Sequence, residues 1–211
     1  METDLNHVHK FFAGNEGHEA YPLILFHGTG GDENDLIYMA SQLSPRSPVL
    51  APRGSVMEGS SPRFFRRLEK GVFDMEDLLF RTDEMAEFLG QAARKYGFNL
   101  SKALAVGYSN GANIAASILL RHPGLIAGGI LFRPMLPYSV EGCIALHGRH
   151  VLILSGEDDE TVPMSQAVAL AETLESSGGR VRHEILPVGH EITDEDLQQA
   201  RTWISRLKHD A

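Results

Sequence analysis

The chain has 211 residues, 43% of them hydrophobic and 22% charged, a balance that suits one packed domain over 1–211 and excludes a disordered chain. A formal net charge of -9 repels nucleic-acid phosphates and anionic lipid headgroups, and the start METDLNHVHK has neither the basic nor the apolar region of a secretory leader. No apolar run nears the ~20 residues a membrane span needs, so the expected setting is cytoplasmic, with no membrane span and no nucleic-acid partner.

In chain order, HVHKFF at 7–12 alternates weakly, as an edge strand does, and YPLILFH at 21–27 is a short continuous apolar run of the kind buried on both faces of a parallel sheet. It runs into GTGGDENDL, where Gly28, Gly30 and Gly31 free the backbone to present the amide of Thr29. His27, just before, reads as a packed structural histidine. GTGGDE fails the dinucleotide fingerprint because residue 33 is Glu, and Asp32, Glu33 and Asp35 fill the helix start that a phosphate would occupy, which argues against a nucleotide site. A helix is expected at 33–43 and a strand, SPVLA, at 47–51. From Arg53 to Phe73 neither period appears. Long irregular segments are often functional, so this one is a candidate wall of an active site, with Phe64 and Phe65 as apolar substrate contacts.

Residues 74–96 place Met75, Leu78, Leu79, Met85, Ala86, Leu89, Ala93 and Tyr96 at steps of three and four, the stripe of an amphipathic helix. KALAVGY at 102–108 is the next buried strand, followed by a helix at 110–122, a strand at 126–132, a strand at 150–155 and a helix at 164–177. RVRHEIL at 180–186 alternates as a second edge, and a helix at 194–208 opens with Thr193 and Asp196 spaced as in a capping box. Strands alternating with helices in this way predict a mainly parallel sheet with helices on both faces. Only residues 133–149 separate two neighbouring strands, too few for a lid domain. The one cysteine, Cys143, reads as a free thiol in a loop, which leaves no internal disulfide or zinc cluster, and no metal or cofactor is expected.

GYSNG at 107–111 stands between a buried strand and a strong helix former, the setting in which GxSxG lifts a nucleophilic serine clear of a sheet. Ser109 then needs a base, and the order Ser, acid, His places it downstream. Of the histidines after Ser109, His190 alone lies in a loop, PVGHE, between the last strand and the last helix. For the acid, GEDDETVP follows the strand at 150–155 and offers Glu157, Asp158, Asp159 and Glu160, among which sequence alone does not choose. The oxyanion of acyl transfer needs two amides, one from the residue after the nucleophile, Asn110, and one from the early glycine-rich loop, Thr29.

At this point the chain resembles the small phospholipase/carboxylesterase branch of the α/β-hydrolase superfamily, which includes acyl-protein thioesterases and bacterial carboxylesterases. LFHGTGGDENDL is similar to that branch's LHGxGGDxxD segment, GYSNG to its GxSxG, GEDDETVP to its GxxDxxVP, and Gly189-His190 to its terminal GH. The resemblance implies an α/β-hydrolase fold without a lid domain, and it selects Asp159 as the acid. PRG at 52–54, RFFRR at 63–67 and VFDMEDL at 72–78 look most like bacterial hydrolases associated with quinone and hydroquinone resistance. LFRPMLP departs from the Ser-Gly that acyl-protein thioesterases carry after this strand, and it sets Arg133 at a strand end, where it could meet a substrate carboxylate. The expected activity is hydrolysis of small or short-acyl carboxylic esters by Ser109, His190 and Asp159, acting on a small-molecule ester. Acyl-thioesterase or lysophospholipase activity, or binding of a small molecule without turnover, are the alternatives. A homodimer is compatible with the chain.

Overall fold

The computed structural model of the protein describes residues 5–15, 20–140 and 144–207; Cys143, read above as a free thiol, lies outside them. The chain runs β1 (His9–Phe12), β2 (Leu23–Phe26), α1 (Ile37–Leu43), β3 (Val49–Pro52), β4 (Val56–Glu58), β5 (Ser61–Arg63), β6 (Arg67–Glu69), β7 (Val72–Phe73) and α2 (Met75–Tyr96). It continues through a 3-10 turn (Leu100–Lys102), β8 (Leu104–Tyr108), α3 (Asn110–Arg121), β9 (Gly128–Phe132), β10 (His150–Gly156), α4 (Met164–Ser176), β11 (Arg180–Leu186) and α5 (Asp194–Leu207).

Seven strands form one sheet in the order β1-β3-β2-β8-β9-β10-β11. Every pairing is parallel except that of β1 with β3. The two segments whose alternation marked them as edges, around 7–12 and 180–186, are the edges. Alternate residues of the inner strands feed two cores. Ile24, Phe26, Ala105, Leu131, Val151 and Ile153 pack under α2, α3 and α4. Leu23, Leu25, Leu104, Val106, Ile130, Leu152 and Leu154 pack under α1 and α5. Both faces are therefore covered, as continuous apolar strands require, and each fully buried Leu, Ile or Phe contributes about 1.5–3 kcal/mol.

Local chemistry sets the helix ends. The Asp74 carboxylate accepts from the Asp77 amide at 3.1 Å at the start of α2, and Gly97 closes that helix with φ 71°. At the start of α5 the Asp196 carboxylate accepts from the Thr193 amide at 2.8 Å, the capping arrangement expected there. Helix α1 begins four residues later than expected, because the Asp32 carboxylate accepts the Asn34 amide at 2.8 Å and draws that stretch into a side-chain-closed turn.

The largest departure is at 53–73, which is not irregular. It folds into two small antiparallel hairpins, β4–β5 and β6–β7, whose turns contain Gly59 at φ 61° and Gly71 at φ 82°. Phe64 and Phe65 join the hairpins and are only 3% and 0% exposed. Phe64 meets Phe26 edge-on with centroids 5.3 Å apart, and Phe65 meets Phe73 at 5.0 Å. Both rings anchor the hairpins to the core, which corrects the expectation that they line the substrate site. Among the described residues, no helix is long and apolar enough to cross a membrane.

Candidate active site

In the strand order, the chain passes from β2 outward to β3 and returns to β8 on the other side of β2. The carboxyl ends of β2 and β8 thus flank the crevice where open α/β sheets bind ligands. Both glycine-bearing loops emerge there, one leading to Thr29 and the other to Ser109.

Ser109 sits between β8 and α3 with φ 51° and ψ -111°, a backbone state that side chains rarely adopt and that typically costs about 1–3 kcal/mol. It is held by its amide donating to Phe132 O at 2.9 Å and its carbonyl accepting from the Asn113 amide at 3.0 Å. The flanking glycines permit the turn by letting backbone touch backbone. A Cβ on Gly107 would lie 2.6 Å from Gly111 O, and one on Gly111 would lie 2.0 Å from Phe26 O.

The Ser109 Oγ lies 3.1 Å from His190 Nε2, and His190 Nδ1 lies 2.8 Å from Asp159 Oδ2. Three segments far apart in the chain therefore meet in one hydrogen-bonded line. The Asp159 side chain is 2% exposed, and its other oxygen, Oδ1, accepts from the Thr161 and Val162 amides at 2.7 and 2.9 Å. With the carboxylate so fixed, Nδ1 carries the proton and Nε2 accepts from the serine hydroxyl. Glu157, Asp158 and Glu160 are exposed, so of the four candidate acids Asp159 is the one that meets an imidazole. A second serine–histidine contact, Ser155 Oγ to His183 Nε2 at 2.8 Å, belongs to the regular strands β10 and β11, where Ser155 is 4% exposed.

Thr29 is exposed after β2, and Asn110 begins α3, where first-turn amides lack intrahelical acceptors. Among the described residues neither amide donates to a backbone carbonyl. The β4–β5 hairpin and the residues that flank it, Gly54 and Phe64, grip this region at four points. Gly30 donates to Pro62 O at 2.9 Å, and Phe64 N donates to Asn110 Oδ1 at 2.8 Å. Arg63 Nη1 donates to Thr29 Oγ1 at 2.7 Å, and Gly54 N donates to His27 Nε2 at 2.9 Å. His27, 1% exposed, donates through Nδ1 to Gly28 O at 2.7 Å, so it is a neutral bridge between the loop and the hairpin; burial lowers its pKa. His27 is structural, as its sequence position suggested, and its work is to tie these two segments together.

Arg133 requires a correction. Its side chain is 0% exposed and forks onto Asp196 at 2.7 and 2.8 Å, so it does not face a substrate carboxylate. Arg63 and Tyr108, which sequence reasoning passed over, both touch the cluster. Tyr108, the second residue of GYSNG, has its ring centroid 5.4 Å from that of His190 and donates its hydroxyl to His190 O at 3.2 Å. Arg63 belongs to the RFFRR stretch, and its only signal was a cation in a segment without period. A cavity of about 410 Å³ between Leu136, Val140 and Thr173 contains none of these side chains.

A sequence profile described as phospholipase/carboxylesterase matches residues 9–208. The putative hydrolase MhqD of Bacillus subtilis is 40% identical over 181 residues, covering 86% of this chain and 90% of that protein. The crystal structure of the Bacillus cereus carboxylesterase superposes with a TM-score of 0.92 at 38% identity, covering 95% of this chain and 94% of that one. A carboxylesterase structure from Mesorhizobium loti gives 0.84 at 35% identity, covering 88% of each chain.

Proposed function

Since the chain belongs to the phospholipase/carboxylesterase family of α/β-hydrolases, we propose that it cleaves carboxylic esters through an acyl-enzyme formed on Ser109. The observation that carries this reading is the continuous line Ser109–His190–Asp159, with contacts of 3.1 and 2.8 Å. His190 Nε2 takes the hydroxyl proton as Ser109 Oγ bonds to the ester carbonyl carbon. Asp159 keeps the imidazole in the required tautomer and stabilises the imidazolium that forms. The Thr29 and Asn110 amides donate to the oxyanion, and each such donor is worth about 2.7–4 kcal/mol in the transition state. His190 then returns the proton to the departing alkoxide. Water enters by the same route in reverse, releasing the carboxylic acid and restoring Ser109.

The neighbourhood of the line favours small, short-acyl esters. His190 stays 24% exposed, and the short 133–149 connection leaves the site open. The β4–β5 hairpin, hydrogen-bonded to the Thr29 loop, forms one wall. Labelling with a fluorophosphonate together with hydrolysis of p-nitrophenyl acetate tests the reading. Both are expected to vanish in Ser109→Ala, with kcat falling by about 10⁶-fold, as when the serine of such a triad is removed. Undiminished turnover in that variant would refute the assignment. A panel of esters from acetyl to palmitoyl, with a thioester included, then separates short-acyl esterase from thioesterase or lysophospholipase chemistry.

A further inference from the structure

The loop that carries His190 is held by its carbonyls. Gly189 O accepts from Arg133 Nε at 2.9 Å, His190 O from the Tyr108 hydroxyl at 3.2 Å, and Glu191 O from Arg133 Nη2 at 2.7 Å. Three successive backbone oxygens, those of the histidine and both its neighbours, are thus claimed by two side chains. Neither side chain comes from the loop itself. Tyr108 ends β8 and directly precedes Ser109, while Arg133 directly follows β9.

Arg133 suits this task as no other residue does. A guanidinium has five N–H donors in a rigid plane, and all five have acceptors here. Nε serves Gly189 O. Nη1 serves Leu154 O at 3.2 Å and Asp196 Oδ1, and Nη2 serves Glu191 O and Asp196 Oδ2. Asp196 in turn accepts from the Thr193 amide and hydroxyl at 2.8 and 2.9 Å, which fixes the start of α5 just beyond the histidine. Arg133 itself is seated with φ 54° and its amide on Leu154 O at 2.8 Å. A rigid cation on the sheet, anchored by a buried carboxylate, therefore clamps the loop on both sides of the imidazole.

We propose that Arg133 and Tyr108 are positioning residues of the hydrolase: they act through His190, keeping its Nε2 within reach of Ser109 Oγ. This inference rests on the esterase reading above and adds to it how the base is held, with residues outside the triad. A side chain that holds the base changes the chemical step far more than substrate binding. It has nothing left to hold once the base is gone.

The test is a set of double-mutant cycles on the purified protein with p-nitrophenyl acetate. Arg133→Lys keeps a cation for Asp196 but cannot reach both flanking carbonyls, and it is expected to lower kcat by about 10–100-fold with KM unchanged. Tyr108→Phe keeps the ring against His190 and loses one hydrogen bond, for an expected fall in kcat of about 2–10-fold. In a His190→Ala background the same two substitutions are expected to leave the residual rate unchanged. Wild-type kcat in a folded Arg133→Lys or Tyr108→Phe protein would overturn the proposal, and so would a loss that persists at full size in the His190→Ala background. Should Arg133→Lys not fold, the Tyr108→Phe cycle, which removes a single hydroxyl, decides alone. Failure of the esterase reading is distinguishable, because His190→Ala by itself would then leave the rate at the wild-type level.

Discussion

Ser109 stands between two supports that are built on different principles. On the histidine side, Arg133 and Asp196 are both 0% exposed, and the charge of one is cancelled inside the fold by the other. On the Thr29 side, Arg63 is nearly as buried, at 4%, yet its nearest carboxylate is Glu58, 41% exposed and 3.5 Å away. Glu58 is itself forked by Arg67 at 2.5 and 2.9 Å. Arg63 relies on neutral oxygens, Thr29 Oγ1 and Phe65 O, and burial pulls its pKa down. The same residue type therefore supports both halves of the site. In one half it belongs to a closed ion pair on the main sheet; in the other it is an undercompensated cation on a hairpin, next to the amides that would receive negative charge.

The two supports should fail in different ways, and the largest effect belongs to the closed pair. Arg133→Met leaves Asp196 buried without a counter-charge and is expected to cost about 3–5 kcal/mol of stability, read from urea unfolding at pH 7. A cost no greater than that of Arg63→Met would erase the distinction. Next in size is Arg63→Met, whose expected signature is kinetic. Thr29 loses its anchor to the hairpin and the positive potential beside the oxyanion falls, so kcat on p-nitrophenyl acetate should drop about 10-fold while the unfolding midpoint moves little. The smallest effect is acid sensitivity. Burial lowers the pKa of His7, His27 and His183 below the ordinary 6.5. Above that value both folded and unfolded chains hold them neutral, whereas below it the unfolded chain takes up protons that the folded chain resists. Stability should thus be full at pH 7.5 and decline gently as the pH falls from about 6.5 toward 5. His27 makes this decline bear on the Thr29 loop, since a protonated imidazole would turn a second N–H toward the Gly54 amide. Urea midpoints measured at three pH values check it, and a flat profile would contradict it.

Much of the framework was legible because it rests on patterns that span a few residues. The continuous apolar runs became inner strands, the two alternating runs became edges, and the stripe from Met75 to Tyr96 became α2. Ser109 and His190 were marked by the loops they occupy, whereas choosing Asp159 from four carboxylates needed a family resemblance. The two hairpins of 53–73 escaped because strands of two or three residues are too short to show a period. Phe64, Phe65 and Arg133 were misplaced for another reason. Burial is a tertiary property: the partner of Arg133 lies 63 positions away, and the rings of the RFFRR stretch meet Phe26 and Phe73 only once the hairpins close.

The contact of Gly107 and Gly111 with bare backbone carries one more implication. Because main-chain atoms set the spacing of β2, β8 and α3 there, the location of the Ser109 hydroxyl is a property of the scaffold, and no neighbouring side chain can be swapped to adjust it. On the esterase reading, any change of preferred ester by natural drift or directed evolution would have to come from the periphery, such as the β4–β5 hairpin beside Thr29, while codons 107 and 111 stay locked on glycine.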